Sequence, residues 1–96
     1  MSGARVAVGT VELHLPDVGS LKGKRHALKG LKETLRRRFE ISVAEVDHHD
    51  VWQRSVIGVV TLSNEEKHVR ESLQRVLDEA DRILGSFLID QKFEIV

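Results

Sequence analysis

The densest group of reactive side chains in the sequence lies between positions 45 and 54. Glu45, Asp47, His48, His49 and Asp50 place carboxylates and imidazoles close together along the chain. Such donors could bind a divalent metal ion or act as a general acid–base pair. Adjacent residues of a strand point to opposite faces, however, so the two imidazoles need not converge on one ligand.

A tight turn accounts for the same residues, because an Asp side chain readily accepts a hydrogen bond from a nearby backbone N–H. We therefore expect the group from Glu45 to Asp50 to serve the structure of a hairpin turn or an interface. Partner contact is the first alternative, and a metal site or active site is the second. Trp52 is expected to be a packing anchor, and Arg54 to pair with Glu45 or another acid across the hairpin. No catalytic residue, metal ligand or cofactor is predicted.

The second group is cationic and spans positions 22–38. This window holds eight Lys and Arg residues against one Glu, a net charge of +7, so the rest of a chain with zero net charge carries −7. The first turns of a predicted helix contain Lys and Arg, where cations oppose the positive end of the helix dipole. A helix start with free N–H groups and nearby cations is typical of an anion site. Its predicted residues are Ser20, Lys22, Lys24, Arg25, Lys29, Lys32 and Arg36.

Phosphate of RNA is the natural ligand for such a site. Arg36, Arg37 and Arg38 are weaker indications, because cations near a helix C-terminus simply stabilise the helix. Stacking aromatics of the kind found in RNA-recognition sheets are not evident, which favours phosphate or shape recognition over sequence readout. A plain solvated face and an acidic protein partner are the alternatives.

The hydrophobic periodicity predicts the elements that carry these groups. Strands are predicted at 5–15, 39–46, 52–62 and 87–96. Helices are predicted at 21–38 and from a cap at Ser63 or Asn64 to Gly85. The apolar stripes of the two helices are Leu21, Leu28, Leu31 and Leu35, and Val69, Leu73, Val76, Ala80 and Ile83. The last strand is expected to turn Phe87, Ile89, Phe93 and Ile95 to one side.

This order of elements, βαββαβ, predicts a single domain over residues 1–96. With right-handed crossovers it gives a ferredoxin-like α+β sandwich: a four-stranded antiparallel sheet, order 4-1-3-2, with both helices on one face. The central strands are apolar on both faces, and such strands usually have both faces buried. We therefore expect the second face, including Val56 and Val60 or the alternating Ile57 and Val59, to be covered by a second copy. An open sheet, or an RNA or protein partner there, is the alternative.

Four segments carry a resemblance to a known family. They are SLKGKR at 20–25, RRRF at 36–39 and above all SVAEVDHHDVWQRSVIGV at 42–59, followed by LSN at 62–64. Together they resemble the YlxP-like family, short bacterial proteins carried as a domain of unknown function. That family more often has Gln at position 49, which argues against an obligatory metal site at His48 and His49. The resemblance implies a ferredoxin-like fold and a gene near those for transcription, translation initiation and ribosome maturation, but no established activity.

Composition and motifs exclude several other classes. The chain has no cysteine, so it offers no disulfide, thiolate zinc site or thiol nucleophile. No apolar run approaches the ~18 residues of a membrane span, and the N-terminal residues do not resemble a signal peptide. The sequence also lacks a P-loop, a GxGxxG turn and a nucleophile elbow. We therefore predict a cytoplasmic, non-enzymatic accessory protein that binds RNA or a ribosomal particle and forms a homodimer. A homodimeric protein-interaction module without nucleic acid is the alternative, and a metal-dependent enzyme at 45–50 is the third hypothesis.

Overall fold

The computed structural model describes residues 3–96, which form two α-helices and a four-stranded antiparallel sheet. The elements are β1 (Arg5–His14), α1 (Leu21–Arg38), β2 (Ser42–Asp47), β3 (Arg54–Ser63), α2 (Glu66–Leu84) and β4 (Leu88–Ile95). A 3-10 turn, Gly85–Phe87, joins α2 to β4. The strand order is β2-β3-β1-β4. The predicted βαββαβ topology, with β1 and β3 at the centre of the sheet, is therefore confirmed.

Local contacts set both ends of α1. The Ser20 hydroxyl accepts a hydrogen bond from the Gly23 backbone N–H at 3.0 Å, which satisfies one of the otherwise unpaired donors of the first turn. Cations occupy the last turn, residues 36–38, where they face the negative end of the helix dipole. The helix runs over the predicted residues, 21–38.

Both helices pack on the same face of the sheet, and the core lies between the two layers. The buried apolar residues are Ala7, Val11 and Leu13 of β1, Leu28, Leu31 and Leu35 of α1, Val43 of β2, Ile57 and Val59 of β3, and Val69, Leu73, Val76, Leu77, Ala80 and Leu84 of α2, with Leu15 beside them. At Gly9 the missing side chain lets α2 approach β1, because a Cβ there would lie 3.2 Å from a Leu77 methyl group. The even-numbered residues of β1 and β3 point to the opposite face.

The connection between β2 and β3 is longer than predicted. β2 begins at Ser42 rather than at 39, and β3 begins at Arg54 rather than at 52. Residues 48–53 form a loop in which the Asp47 carboxylate accepts a hydrogen bond from the His48 N–H at 2.7 Å, as expected for a turn-forming Asp. β3 in turn extends to Ser63, so Glu65 takes the N-cap position of α2 in place of the predicted Ser63 or Asn64.

β4 departs most from its predicted pattern. The register between β1 and β4 shifts between Glu12 and Leu13, so that Asp90 pairs with Glu12 while Leu88 pairs with Leu13. Leu88 therefore packs against the core, whereas Phe87 and Ile89 are exposed. The predicted core side of this strand is correct at 93 and 95. It is wrong at 89, where the bulge exchanges the two faces of the strand, and at 87, which lies in the 3-10 turn before the strand.

Candidate functional site

The exposed cations of α1 form a continuous row. We call this row the basic stripe; it consists of Lys22, Arg25, Lys29, Lys32 and Arg36. Its members recur at intervals of three and four residues, which places them on one face of the helix. Four of them are exposed and Lys32 is half-buried. At about 1.5 Å rise per residue the row is roughly 21 Å long.

The basic stripe lies beside the edge strand β2. Arg36 Nη2 donates a hydrogen bond to the Val43 carbonyl of that strand at 2.9 Å. Lys29 and Glu33 are both exposed and 4.0 Å apart, a distance and exposure at which an ion pair contributes little. Ser20, predicted to bind an anion, already uses its oxygen to cap α1. The stripe therefore presents cations that are only weakly compensated.

Lys24 does not belong to this surface, and its predicted exposure is wrong. Its side chain is 1% exposed, and its ammonium Nζ lies 2.9 Å from Glu45 Oε2. The same Nζ donates to the backbone carbonyls of His48 at 2.6 Å, His49 at 3.1 Å and Arg54 at 3.4 Å. Position 24 shares the spacing of the apolar stripe, three residues after Leu21 and four before Leu28. That spacing was the sequence signal of burial, and it outweighs the residue's charge.

Glu45 is the carboxylate that compensates Lys24. It also accepts a hydrogen bond from the hydroxyl of the fully buried Ser55 at 2.6 Å. Burial by itself would raise the pKa of Glu45, but the hydrogen bonds from Ser55 and Lys24 outweigh it and hold that pKa below its ordinary value of 4.5. Lys24 and Glu45 therefore fasten the loop at 48–53 to the first turns of α1. Charge reversal at Lys24 would place two carboxylates side by side in the core.

The hairpin residues do not converge on a common ligand. Among residues 3–96 there is no group of three or more His, Asp or Glu side chains arranged to hold a metal ion. His48 adopts a left-handed backbone conformation, φ 61°, which fits its place in a tight turn. Glu45 points to the helix side of the sheet and is engaged by Lys24 and Ser55. Asp47, His49 and Asp50 are exposed in or beside the turn.

Arg54 pairs with a different acid from the one named first in the prediction. Arg54 Nη2 lies 2.5 Å from Glu12 Oε2, and His48 Nε2 lies 3.8 Å from the same oxygen. The three side chains meet on the face of the sheet opposite the helices, at the end where β1 and β3 approach the loop. Glu12 belongs to β1, so the acid that pairs with Arg54 does not lie across the β2–β3 hairpin, and the prediction is wrong in that respect.

The C-terminal cations of α1 serve the contact between the helices. Arg38 Nη1 lies 2.7 Å from Glu79 Oε2 of α2, and Arg82 pairs with the other oxygen of the same carboxylate. The hydrogen bond from Arg82 is the main reason why the pKa of Glu79 is lowered. Arg38 is therefore occupied by an ion pair within the fold.

The face of the sheet away from the helices, called here the open face, is apolar at its centre. Val46, Val60 and Leu62 are 54%, 38% and 70% exposed, and Val6, Val8 and Val56 are half-buried beside them. The side chains of Ile57 and Val59 lie on the helix side instead, so of the predicted pairs Val56 and Val60 are the ones on the open face.

Two shallow depressions cross the open face side by side. The first, of about 630 Å³, lies over β2, β3 and β1 and is bordered by Arg36, Val46 and Val60. The second, of about 540 Å³, lies over β1 and β4 and is bordered by Lys92 and Glu94. Val8 and Thr10 line both, so the depressions form one continuous trough across the strands.

Trp52 lies in the loop and is 52% exposed, next to the exposed Val51. The expectation that Trp52 is a packing anchor is therefore wrong. Its neighbour Gln53 is held instead: Gln53 Nε2 donates to the carbonyls of Pro16 at 3.1 Å and Val18 at 3.2 Å. The chain thus fixes the loop through Lys24 and Gln53 and leaves the indole at the surface.

Neither α1 nor α2, nor any other helical segment within residues 3–96, is long and apolar enough to cross a membrane.

Comparison with protein families and curated proteins identifies relatives of the sequence. The profile of a family described as "Protein of unknown function (DUF503)" matches residues 6–92. A curated relative, "Uncharacterized protein YlxP" of Bacillus subtilis (strain 168), is 38% identical over 61 residues. That match covers 64% of this chain and 66% of the relative, so the chain spans just under two thirds of the relative's length.

Solved structures share the fold at low sequence identity. The designed protein Foldit4 superimposes with a TM-score of 0.62 and 12% identity, over 97% of this chain and 96% of its own. A dimeric ferredoxin-like protein of unknown function from Thermobifida fusca gives 0.56 and 11%, over 100% and 92% of the two chains. A dimeric ferredoxin-like protein of unknown function from Bacteroides fragilis gives 0.55 and 14%, over 95% and 94%. At these identities the likeness shows the α+β ferredoxin-like fold and leaves function open.

Proposed function

We propose that this chain, which belongs to the DUF503 family of proteins of unknown function, is a non-enzymatic accessory protein that binds RNA through the basic stripe of α1. Membership confirms the family resemblance carried by residues 42–59 but supplies no activity, so the proposal depends on surface chemistry. A ribosomal RNA or ribosomal particle is the proposed target, and the cytoplasm is the proposed location.

The observation that carries the proposal is the set of cations that the fold does not use. Lys22, Arg25 and Lys29 are exposed in the N-terminal half of α1, and Lys22 lies in the first turn, where positive charge costs stability. The first turn of α1 contains no acidic residue, whereas that of α2 has Glu66 beside Lys67. Cations retained where they weaken the helix are accounted for by an anionic ligand, and RNA supplies one phosphate per nucleotide along a row of this length.

The division of charge supports a defined orientation on that ligand. Positions 22–38 carry a net charge of +7, and the rest of the chain carries −7. An acidic remainder repels nucleic acid, so only the side that bears α1 can approach phosphates closely. Contacts to phosphate position a protein without reading sequence, which matches a role on a structured particle rather than recognition of a sequence motif.

A filter-binding assay with ribosomal RNA and isolated subunits at low salt tests the proposal. The double variant Lys22→Glu/Arg25→Glu should weaken binding strongly and flatten its salt dependence by about 0.7 in log–log slope per lost single-strand contact. Lys67→Glu/Arg75→Glu is the matched control, because it reverses two exposed cations of α2 and gives the same net charge. No retained RNA with the unmodified chain, or equal losses in the two variants, would overturn the proposal.

Homodimerisation through the open face is the second proposed property. If the chain dimerises but does not bind RNA, the alternative function is a protein-interaction module without a nucleic-acid role. Val60 and Leu62 expose apolar surface on the open face, and exposed apolar patches mark interaction sites. One row of residues across the open face also has opposite charges at its two ends. Ser42, Val60, Val8 and Glu94 are paired across the sheet, with Arg36 beside Ser42. A twofold axis parallel to the strands would place Val60 over Val8 of the second copy, and Arg36 over its Glu94.

Sedimentation velocity at micromolar concentration tests the dimer. The unmodified chain should sediment as a dimer, and Val60→Asp should sediment as a monomer because it buries a carboxylate in the interface. Ile83→Asp is the matched control, since Ile83 is also 38% exposed but lies on α2. A monomeric unmodified chain, or an Ile83→Asp variant that dissociates equally, would contradict a dimer through the open face.

A further inference from the structure

The exposed indole of Trp52 has no structural explanation in the fold around it. Trp52 is the single tryptophan of a chain that has no tyrosine, and about half of its surface is open to solvent. A shallow concavity of about 540 Å³ beside it is lined by its loop neighbours Asp50, Val51 and Gln53. A large aromatic side chain on such a surface is typical of a contact with a ligand.

The loop that carries Trp52 is fixed on both sides. His48 and Val51 close a turn through a carbonyl-to-N–H hydrogen bond of 3.1 Å, and the Gln53 carbonyl accepts from the Leu15 N–H at 2.8 Å. Lys24 binds carbonyls both before and after Trp52, those of His49 and Arg54. The indole is therefore presented by an ordered backbone, and a ligand that contacts it need not first order the loop.

These bonds also hold the loop that carries Trp52 at the N-terminal end of α1, where the basic stripe begins. The loop at 48–53 is joined directly to Lys24, in the first turn of α1. Lys22 and Arg25, the first two members of the stripe, flank Lys24 in that turn and are exposed. One end of the molecule thus combines an exposed aromatic ring with exposed cations, the combination that binds single-stranded nucleic acid elsewhere.

We infer that Trp52 is a stacking platform for an unpaired RNA base whose flanking phosphates are bound by Lys22 and Arg25. The inference rests on the proposed RNA-binding function and adds to it a preference for single-stranded segments. It also revises the expectation that this chain has no stacking aromatic. The ring can stack on any base, since every base has a π-face, so the site tolerates different sequences.

Intrinsic fluorescence tests this directly, because all tryptophan emission of the chain comes from position 52. An oligoadenylate of about 12 nucleotides, within the usual range of site sizes for single strands, should bind and quench that emission. Inorganic polyphosphate, which offers phosphates without bases, should compete for the basic stripe but cause much less quenching. Oligoadenylate that binds and leaves the emission unchanged would overturn the inference.

Substitution gives a second readout that separates stacking from charge. Trp52→Ala should weaken oligoadenylate binding roughly 5- to 100-fold and leave polyphosphate binding unchanged, and Trp52→Phe should recover part of the loss. Phe87→Ala, which removes another exposed aromatic ring, should have no effect on either ligand. Thermal unfolding followed by circular dichroism checks that the variants remain folded.

The outcomes distinguish the inference from the function on which it depends. If neither oligoadenylate nor polyphosphate nor ribosomal RNA binds, the proposed function fails, and the inference fails with it. If RNA binds and Lys22→Glu/Arg25→Glu weakens it while Trp52→Ala does not, the function stands and the stacking site is refuted. A Trp52→Ala variant that keeps its RNA affinity but dissociates into monomers would assign Trp52 to the dimer contact and also refute it.

Discussion

Lys24 is a charged side chain at a core position, and its partners make that position tolerable. Removing an ammonium group from water is costly unless the charge is paired and its donors are satisfied. The carboxylate of Glu45 and three backbone carbonyls surround Nζ at 2.6–3.4 Å, and an ammonium group has three N–H donors to share among them. The interactions of Lys24 thus offset the desolvation cost of its ammonium group and fix the position of the loop that carries Trp52.

Replacing Lys24 tests that balance. Lys24→Met keeps the length of the side chain and removes its charge, so Glu45 loses its counter-ion and the loop carbonyls lose their donor. The free energy of unfolding in urea should fall by about 2–4 kcal/mol, somewhat below the usual cost of breaking a fully buried pair, because Glu45 remains partly exposed. Lys22→Met, at an exposed position of the same turn, should change it by less than about 0.5 kcal/mol. Equal stability of the two variants would contradict the buried pair.

The pair also predicts a dependence of stability on pH. The folded pKa of Glu45 lies below its ordinary value of 4.5, so folding is favoured by the ionised carboxylate. That contribution is fully present above pH 4.5 and is lost as the pH falls through the folded pKa. Glu45→Gln should therefore be less stable than the unmodified chain at neutral pH, with a difference that narrows below pH 4.5. Urea unfolding over a range of about four pH units, between pH 3 and 7, measures the difference in stability between the two chains, because carboxylates titrate in that range. A difference that does not depend on pH would refute this assignment.

At the scale of the elements, local signals predicted the helices better than the strands. The bounds of α1 followed from the Ser20 cap and a run of leucines, both of which act within the helix. The face of β4 depended on a bulge that arises only when β4 pairs with β1, so its sequence alone misplaced Ile89. Lys24 was misassigned for a related reason, because the carboxylate that allows its burial is contributed by β2. Tertiary partners, rather than propensities, determined these positions.

The bulge in β2 depends on Gly58 of the neighbouring strand. The register between β2 and β3 shifts between Glu45 and Asp47, and the intervening Val46 packs over Gly58, where a Cβ would lie only 2.9 Å from a Val46 methyl group. Gly58→Ala should cost about 1 kcal/mol of unfolding free energy through this overpacking. Val46→Ala in the same chain should relieve it, which a double-mutant cycle measures.

Gly30 provides the control for that substitution. It lies in α1, where an added Cβ would meet nothing within 4 Å. Gly30→Ala should therefore stabilise the chain by up to about 1 kcal/mol, since Ala loses less conformational freedom than Gly in a helix. A Gly58→Ala variant that gained stability in the same way would show that Val46 does not constrain the position.

In the whole molecule, the two proposed surfaces lie mainly on different layers and meet at Arg36, the last residue of the basic stripe, which also borders the open face. The basic stripe belongs to the helical layer beside β2, and the open face is the other side of the sheet. A dimer formed through the two open faces would therefore leave both helical layers outside, each with its own stripe. RNA binding and dimerisation can then occur together, and each can be removed by a substitution that leaves the other surface intact.

This separation predicts that dimerisation strengthens binding to long RNA without improving any single contact. A dimer with two stripes binds a long RNA at two places, and the second contact forms at high effective concentration. Val60→Asp should bind a short oligonucleotide as tightly as the unmodified chain, yet bind ribosomal RNA about tenfold more weakly or worse. Ile83→Asp adds the same charge on α2 and should leave both affinities unchanged. Filter binding at one low salt concentration compares the affinities of the variants. An equal loss of affinity for short and long RNA in Val60→Asp would mean that the added carboxylate acts by repulsion. No loss of affinity for either RNA would mean that one stripe is enough for binding.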